Sequence, residues 1–65
     1  MRYNVKAIRE ERNVTQIELA QKSGVSRATI WMLENGKAEN TTTKTLTNIA
    51  SALGCEVDDL IRAKD

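Results

Sequence analysis

Apolar residues along this chain recur at intervals of three and four. Val5 and Ile8, with Met1, form a first stripe, and Leu19 with Ala20 a second. Ile30 and Leu33 form a third, Leu46, Ile49, Ala50 and Leu53 a fourth, and Leu60 with Ile61 a last. Such spacing puts each set on one side of a helix, and no segment alternates with the period of two that a half-buried strand shows. The residues between the stripes supply starts and stops. Helix 1 is predicted to end near Arg12, because Asn13 tolerates the left-handed backbone that closes helices. Thr15-Gln16-Ile17-Glu18 reads as a capping box opening helix 2, which runs to about Ser23 and ends at Gly24 with positive φ. Ser26 caps helix 3 over about Arg27 to Asn35, and Gly36 stops it. Thr42 or Thr43 caps helix 4, and Gly54 ends it. A short fifth helix spans about Val57 to Arg62 and buries Leu60 and Ile61, with Asp58 and Asp59 at its dipole-positive end. The pattern predicts an all-α fold: five short helices in one domain over residues 1–65.

Composition narrows this further. A chain of 65 residues buries only about 60% of its unfolded surface, so its core must be economical. Tyr3 and Trp31 are its two aromatic residues, so the core is built from Ile, Leu, Val and Ala. There is no His and no Pro, and Cys55 is the single cysteine. That excludes an intramolecular disulfide and a four-ligand Cys/His zinc site, and no metal or cofactor is expected. A lone Cys at a predicted core position fits a reducing, cytoplasmic compartment. No apolar run approaches the ~18–20 residues of a membrane span, so no membrane partner is expected. With no His and no nucleophile–base pair at a recognisable spacing, nothing supports catalysis.

The net charge of +1 argues at first against a nucleic-acid partner. The total hides a split, however. Residues 1–44 carry eight Lys/Arg against five Asp/Glu, a balance of +3, and residues 45–65 carry two against four, a balance of −2. Such a dipole can present a basic face, or it can be a solvated surface of mixed sign. Helices 2 and 3 lie in the basic part. The Ser23-Gly24-Val25-Ser26 link between them forces a sharp angle, with Ala20 facing the junction, where a larger side chain would prevent close approach. This is the geometry of a helix-turn-helix, whose second helix can enter a DNA major groove.

Turning helix 3 at about 100° per residue puts Ile30 and Leu33 on one arc, flanked by Thr29 and Glu34. Arg27, Ala28, Trp31, Met32 and Asn35 take the other. Large apolar groups on an outward arc mark a contact surface. From spacing alone that surface meets either DNA or a protein neighbour, a dimer partner or helix 1.

Several motifs in order carry a family resemblance: Val5-Lys6-Ala7-Ile8-Arg9-Glu10-Glu11-Arg12-Asn13-Val14-Thr15-Gln16, Glu18-Leu19-Ala20, Ser23-Gly24-Val25-Ser26-Arg27, Ile30, Leu33-Glu34-Asn35-Gly36-Lys37, Ala52-Leu53-Gly54 and Asp58-Asp59-Leu60. Over roughly residues 5–61 the chain resembles the Cro and phage-repressor type of helix-turn-helix protein, the XRE family. The resemblance implies a five-helix, lambda-repressor-like bundle with the helix-turn-helix at 16–35. It also implies a small bacterial or phage regulator, usually a repressor, that binds double-stranded DNA as a homodimer on a near-palindromic operator. An antitoxin or other protein-binding module that also represses its own operon is the alternative on the same fold. With no appended ligand or cleavage domain in 65 residues, switching is expected to come from a partner or from concentration.

The resemblance also implies roles. Arg27 and Ala28 stand where bases are read, Arg27 at guanine O6 and N7 and Ala28 at a thymine methyl. Arg27 on a phosphate is the other option. Met32 faces bases too, and Thr29 sits at the margin or simply faces the turn. Gln16 resembles a glutamine that touches phosphate and braces the base readers, against a plain solvated first-turn residue. Ser26, Asn35, Gly36 and Lys37 fall in backbone-contacting segments, and Trp31 is placed along the sugar–phosphate backbone, within stacking reach of Arg27. Lys44 and the Thr41–Thr43 hydroxyls add phosphate contacts or serve as caps. Arg9 and Glu34 are implied to form a structural ion pair, with a phosphate also in reach of Arg9. Val57, Leu60 and Ile61, with the loop before helix 4, are the dimer candidates. Three departures from the family pattern stand out: Ser23 suggests a looser end to helix 2, Glu56 replaces a Ser cap, and Thr41 replaces a Pro, which suggests a more mobile loop after Lys37.

Overall fold

In a computed structural model, which describes residues 3–37 and 41–61, the chain folds into α1 (Val5–Glu11), α2 (Gln16–Ser23), α3 (Arg27–Glu34), α4 (Thr43–Leu53) and α5 (Val57–Ile61), with no strand among those residues. Met1, Arg62 and the loop at 38–40 lie outside the described residues.

Local chemistry explains the boundaries. The Thr15 hydroxyl accepts from the Glu18 amide at 3.1 Å, and the Glu18 carboxylate accepts from the Thr15 amide at 2.9 Å, completing a capping box. The bond from the Thr15 backbone amide, and after it the Thr15 side chain, hold the Glu18 carboxyl below its ordinary pKa. Ser26 and Thr42 cap α3 and α4 in the same way, accepting from Thr29 and Thr45. Asn13 closes α1 at φ +56°, and the Val14 amide bonds back to the Arg9 carbonyl at 3.0 Å. Asn35 is the cap of α3 rather than its last turn.

α2 packs on α3 and α4, α4 on α5, and α1 on α3. Val5, Leu19, Ile30, Leu33, Ile49 and Leu60 are fully enclosed, and Leu46, Ala50 and Leu53 complete the α4 stripe. Arg12 donates to the Leu53 carbonyl at 3.0 Å and joins the ends of α1 and α4. The Asn4 amide donates to the Leu60 carbonyl at 2.8 Å and ties the start of α1 to α5.

Three expectations need correction. Ile61 is 39% exposed, because one residue of helical rotation carries it off the face that Leu60 buries. Leu60 is fully enclosed by this chain's own core, so as a dimer candidate it has no surface to offer. Ser23 does not loosen α2. It is buried, its hydroxyl donates to the Leu19 carbonyl at 2.7 Å and it accepts from the Val25 amide at 3.2 Å. A satisfied hydroxyl in the turn replaces the apolar contact at little cost. At Glu56 the start of α5 is bonded without a Ser hydroxyl: the Asp59 carboxylate accepts from the Glu56 amide at 3.0 Å, and the Asp59 amide donates to the Glu56 carbonyl at 3.0 Å.

Candidate nucleic-acid interface

The angle between α2 and α3 is set at Gly24, whose φ of +72° lies where an L side chain is strained. The turn brings the first residues of α2 beside the first residue of α3. Gln16 is the point of contact. Its Nε2 donates to Glu34 Oε1 at 3.0 Å, and its Oε1 accepts from Arg27 Nε at 3.5 Å. Glu34 is held in turn by Arg9 of α1. Arg9 Nε meets Glu34 Oε2 at 2.8 Å and Nη2 meets Oε1 at 3.2 Å, a bidentate pair whose Glu34 side chain is only 3% exposed. The third Arg9 bond runs from Nη1 to the Val14 carbonyl at 2.9 Å. The hydrogen bond to Glu34 is the main cause that raises the Arg9 pKa further, so the guanidinium is charged at any ordinary pH. Nε, Nη1 and Nη2 of Arg9 are thus all engaged within the chain.

Outward from this network lies the free arc of α3. Arg27 and Ala28 are exposed, as are Trp31 at 48% and Met32 at 37%. The hydrogen bond of Arg27 runs across to α2, whereas spacing alone allowed a stack on Trp31. Thr29 is half-buried, and its Oγ1 accepts from the Ser26 hydroxyl at 2.8 Å while its own proton stays available. The Ser26 hydroxyl is committed to the cap. Asn35 Nδ2 donates to the Trp31 carbonyl at 2.8 Å, so that amide finishes the helix. Gly36 turns the chain at φ +69°, the Lys37 amide returns to the Met32 carbonyl at 2.8 Å, and the Lys37 side chain is left exposed. Lys44 is exposed on the first turn of α4, outside the Gln16 network.

A family model described as helix-turn-helix matches residues 5–60. The chain belongs to the XRE-type helix-turn-helix family. Members of this helix-turn-helix family are DNA-binding transcriptional regulators, not enzymes. Over 57 residues the chain is 39% identical to an immunity repressor protein of Bacillus phage phi105, covering 88% of this chain and 39% of the repressor. Over 60 residues it is 40% identical to an uncharacterized HTH-type transcriptional regulator of Archaeoglobus fulgidus, covering 92% of this chain and 83% of that one. Among solved structures it is similar to one titled SinR protein/SinI protein complex, with a TM-score of 0.79 and 25% identity over 85% of this chain and 53% of that one. This helix-turn-helix chain thus spans well under half of the phage repressor it matches.

One residue of the helix-turn-helix surface escapes a reading by motif alone. Ile17 is 53% exposed, the most exposed large apolar side chain described, and it flanks a shallow groove with Gln16, Thr15 and Arg27. The signal was present in the helical rotation: Ile17 stands about 160° from Leu19 around α2. A second groove between α1 and α3 is lined by Tyr3, Lys6, Trp31 and Asn35 together with the Arg9–Glu34 pair.

Proposed function

We propose that the chain is a sequence-specific regulator, acting as a repressor, that binds double-stranded DNA as a homodimer on a near-palindromic operator. α3 lies in the major groove in this reading. Arg27, Ala28 and Met32 address base edges, with Thr29 at their margin. Gln16, Trp31, Lys37 and Lys44 address the sugar–phosphate backbone, and Ser26, Asn35 and Gly36 shape the two ends of α3 against it. The observation that carries this is the outward arc of α3, where a methyl, an indole and a thioether stand exposed beside the Arg27 cation, itself held by Gln16. Val57 and Ile61 are the α5 residues left for self-association, half-buried and exposed respectively.

Selection of binding sites from random duplex DNA tests the reading. The expected product is a near-palindrome whose half-site centres lie about 34 Å apart, bound with an affinity that falls steeply with salt. A flat salt response, or enrichment of no sequence, counts against it. The solved neighbour titled as a complex with a second protein supports an additional protein partner as a second reading. Copurification of a co-expressed neighbouring protein in fixed ratio is the measurement for it.

A further inference from the structure

Glu34 carries more than the ion pair with Arg9. Its Oε1 accepts from Arg9 and from Gln16, at 3.2 and 3.0 Å. An ionised carboxylate only accepts, so the nitrogen of the Gln16 amide must face it, and the oxygen of that planar amide must face elsewhere. The structure puts that oxygen at Arg27 Nε, a group that only donates. The buried anion therefore fixes which end of the Gln16 amide meets the exposed cation. The opposite amide orientation would set the Gln16 oxygen against the Glu34 carboxylate, acceptor to acceptor, and its N–H groups against Arg27 Nε, donor to donor. With Nε of Arg27 occupied, the four N–H groups on its two terminal nitrogens remain, and these form the fork that fits guanine O6 and N7.

We propose that Glu34 is a positioning residue for base recognition, acting through the amide of Gln16 to hold Arg27 with its terminal fork toward guanine. The proposal rests on the DNA-reading role of Arg27 given above. It adds that the base preference is set in part by a carboxylate that DNA never touches.

The test compares the full chain with Gln16→Met, Glu34→Gln and the double variant, each confirmed folded by thermal melting. In the free protein, the Arg27 Nε–H resonance in nitrogen-15 NMR is expected to move in both single variants. An unmoved resonance in Glu34→Gln overturns the positioning role whatever happens on DNA. On the selected operator, the base pair whose identity ceases to matter in Arg27→Ala is then varied. Preference for guanine there is expected to fall roughly three- to tenfold in each single variant, the worth of one hydrogen bond, and no further in the double variant. Additive losses overturn the proposal, since they mean that Glu34 acts by another route. If Glu34→Gln does not fold, Arg9→Met/Glu34→Gln removes both buried charges together and takes its place. A resonance that moves while no base pair responds to Arg27→Ala rejects the DNA-reading role instead, so the two failures are distinguishable.

Discussion

The pairs α2–α3 and α4–α5 are built on the same turn and put to different uses. Each first helix ends in a left-handed glycine, Gly24 at φ +72° and Gly54 at φ +71°. Each turn then runs through one apolar residue, Val25 or Cys55, to a capping position, Ser26 or Glu56. Beyond it they diverge. α3 is eight residues long, buries Ile30, Leu33 and the Glu34 side chain, and leaves a whole arc outside. α5 is five residues long and buries Leu60. Polar side chains link α1, α2 and α3 through Arg9, Glu34, Gln16 and Arg27, whereas the α4 side of the molecule is an apolar stripe of Leu46, Ile49, Ala50 and Leu53. The turn makes the angle in both cases. Use is decided by which side chains the second helix turns outward, and by whether polar bonds hold them there.

Mutations that separate the two halves sharpen this. The largest effect is expected at the ion pair: Arg9→Met leaves Glu34 buried without its cation and lowers stability by about 3–5 kcal/mol in urea denaturation, while Arg9→Met/Glu34→Leu recovers much of it. A double variant as unstable as the single one contradicts that account. On the apolar side, Ile49→Ala opens a cavity in the α4 seam and costs about 2–5 kcal/mol, with affinity for DNA per folded molecule unchanged. Arg27→Ala reverses the pattern. It leaves stability within about 0.5 kcal/mol, as an exposed position does, and removes roughly 1–3 kcal/mol of discrimination at one base pair. The smallest effect is at the α2 cap, where Thr15→Ala costs about 1 kcal/mol.

That cap also carries a pH signature. The Glu18 carboxyl lies below its ordinary 4.5 in the folded chain, so its contribution is complete above pH 4.5 and is lost as pH falls through the lower folded value. The stability gap between the wild type and Glu18→Ala therefore closes in acid. A gap that widens there contradicts the capping box as its origin.

Helix number and ends were legible because they are decided locally, by Thr15, Ser26 and Thr42 at the starts and by Asn13, Gly24, Gly36 and Gly54 at the stops. The side of Ile61 is not legible, because a five-residue helix has too few turns for periodicity to locate its face. The bond between Gln16 and Glu34 was not legible. It spans 18 residues and depends on the angle at Gly24 as well as on the packing of α1, which bring three helices to one carboxylate. The role of Ser23 is hidden for a related reason: its hydroxyl finds its partners only once the turn has formed.

The bond from the Asn4 amide to the Leu60 carbonyl, with Asn4 Nδ2 reaching the Asp59 carbonyl at 3.3 Å, clasps the first helix to the last. Its proton is a natural clock for the departure of α5. Exchange with heavy water at Asn4 proceeds only when that short helix lifts away, so it reports a local opening that thermal melting of the whole chain averages out. Anything that binds across Val57 and Ile61 and pins α5 down slows that clock at a position it does not touch.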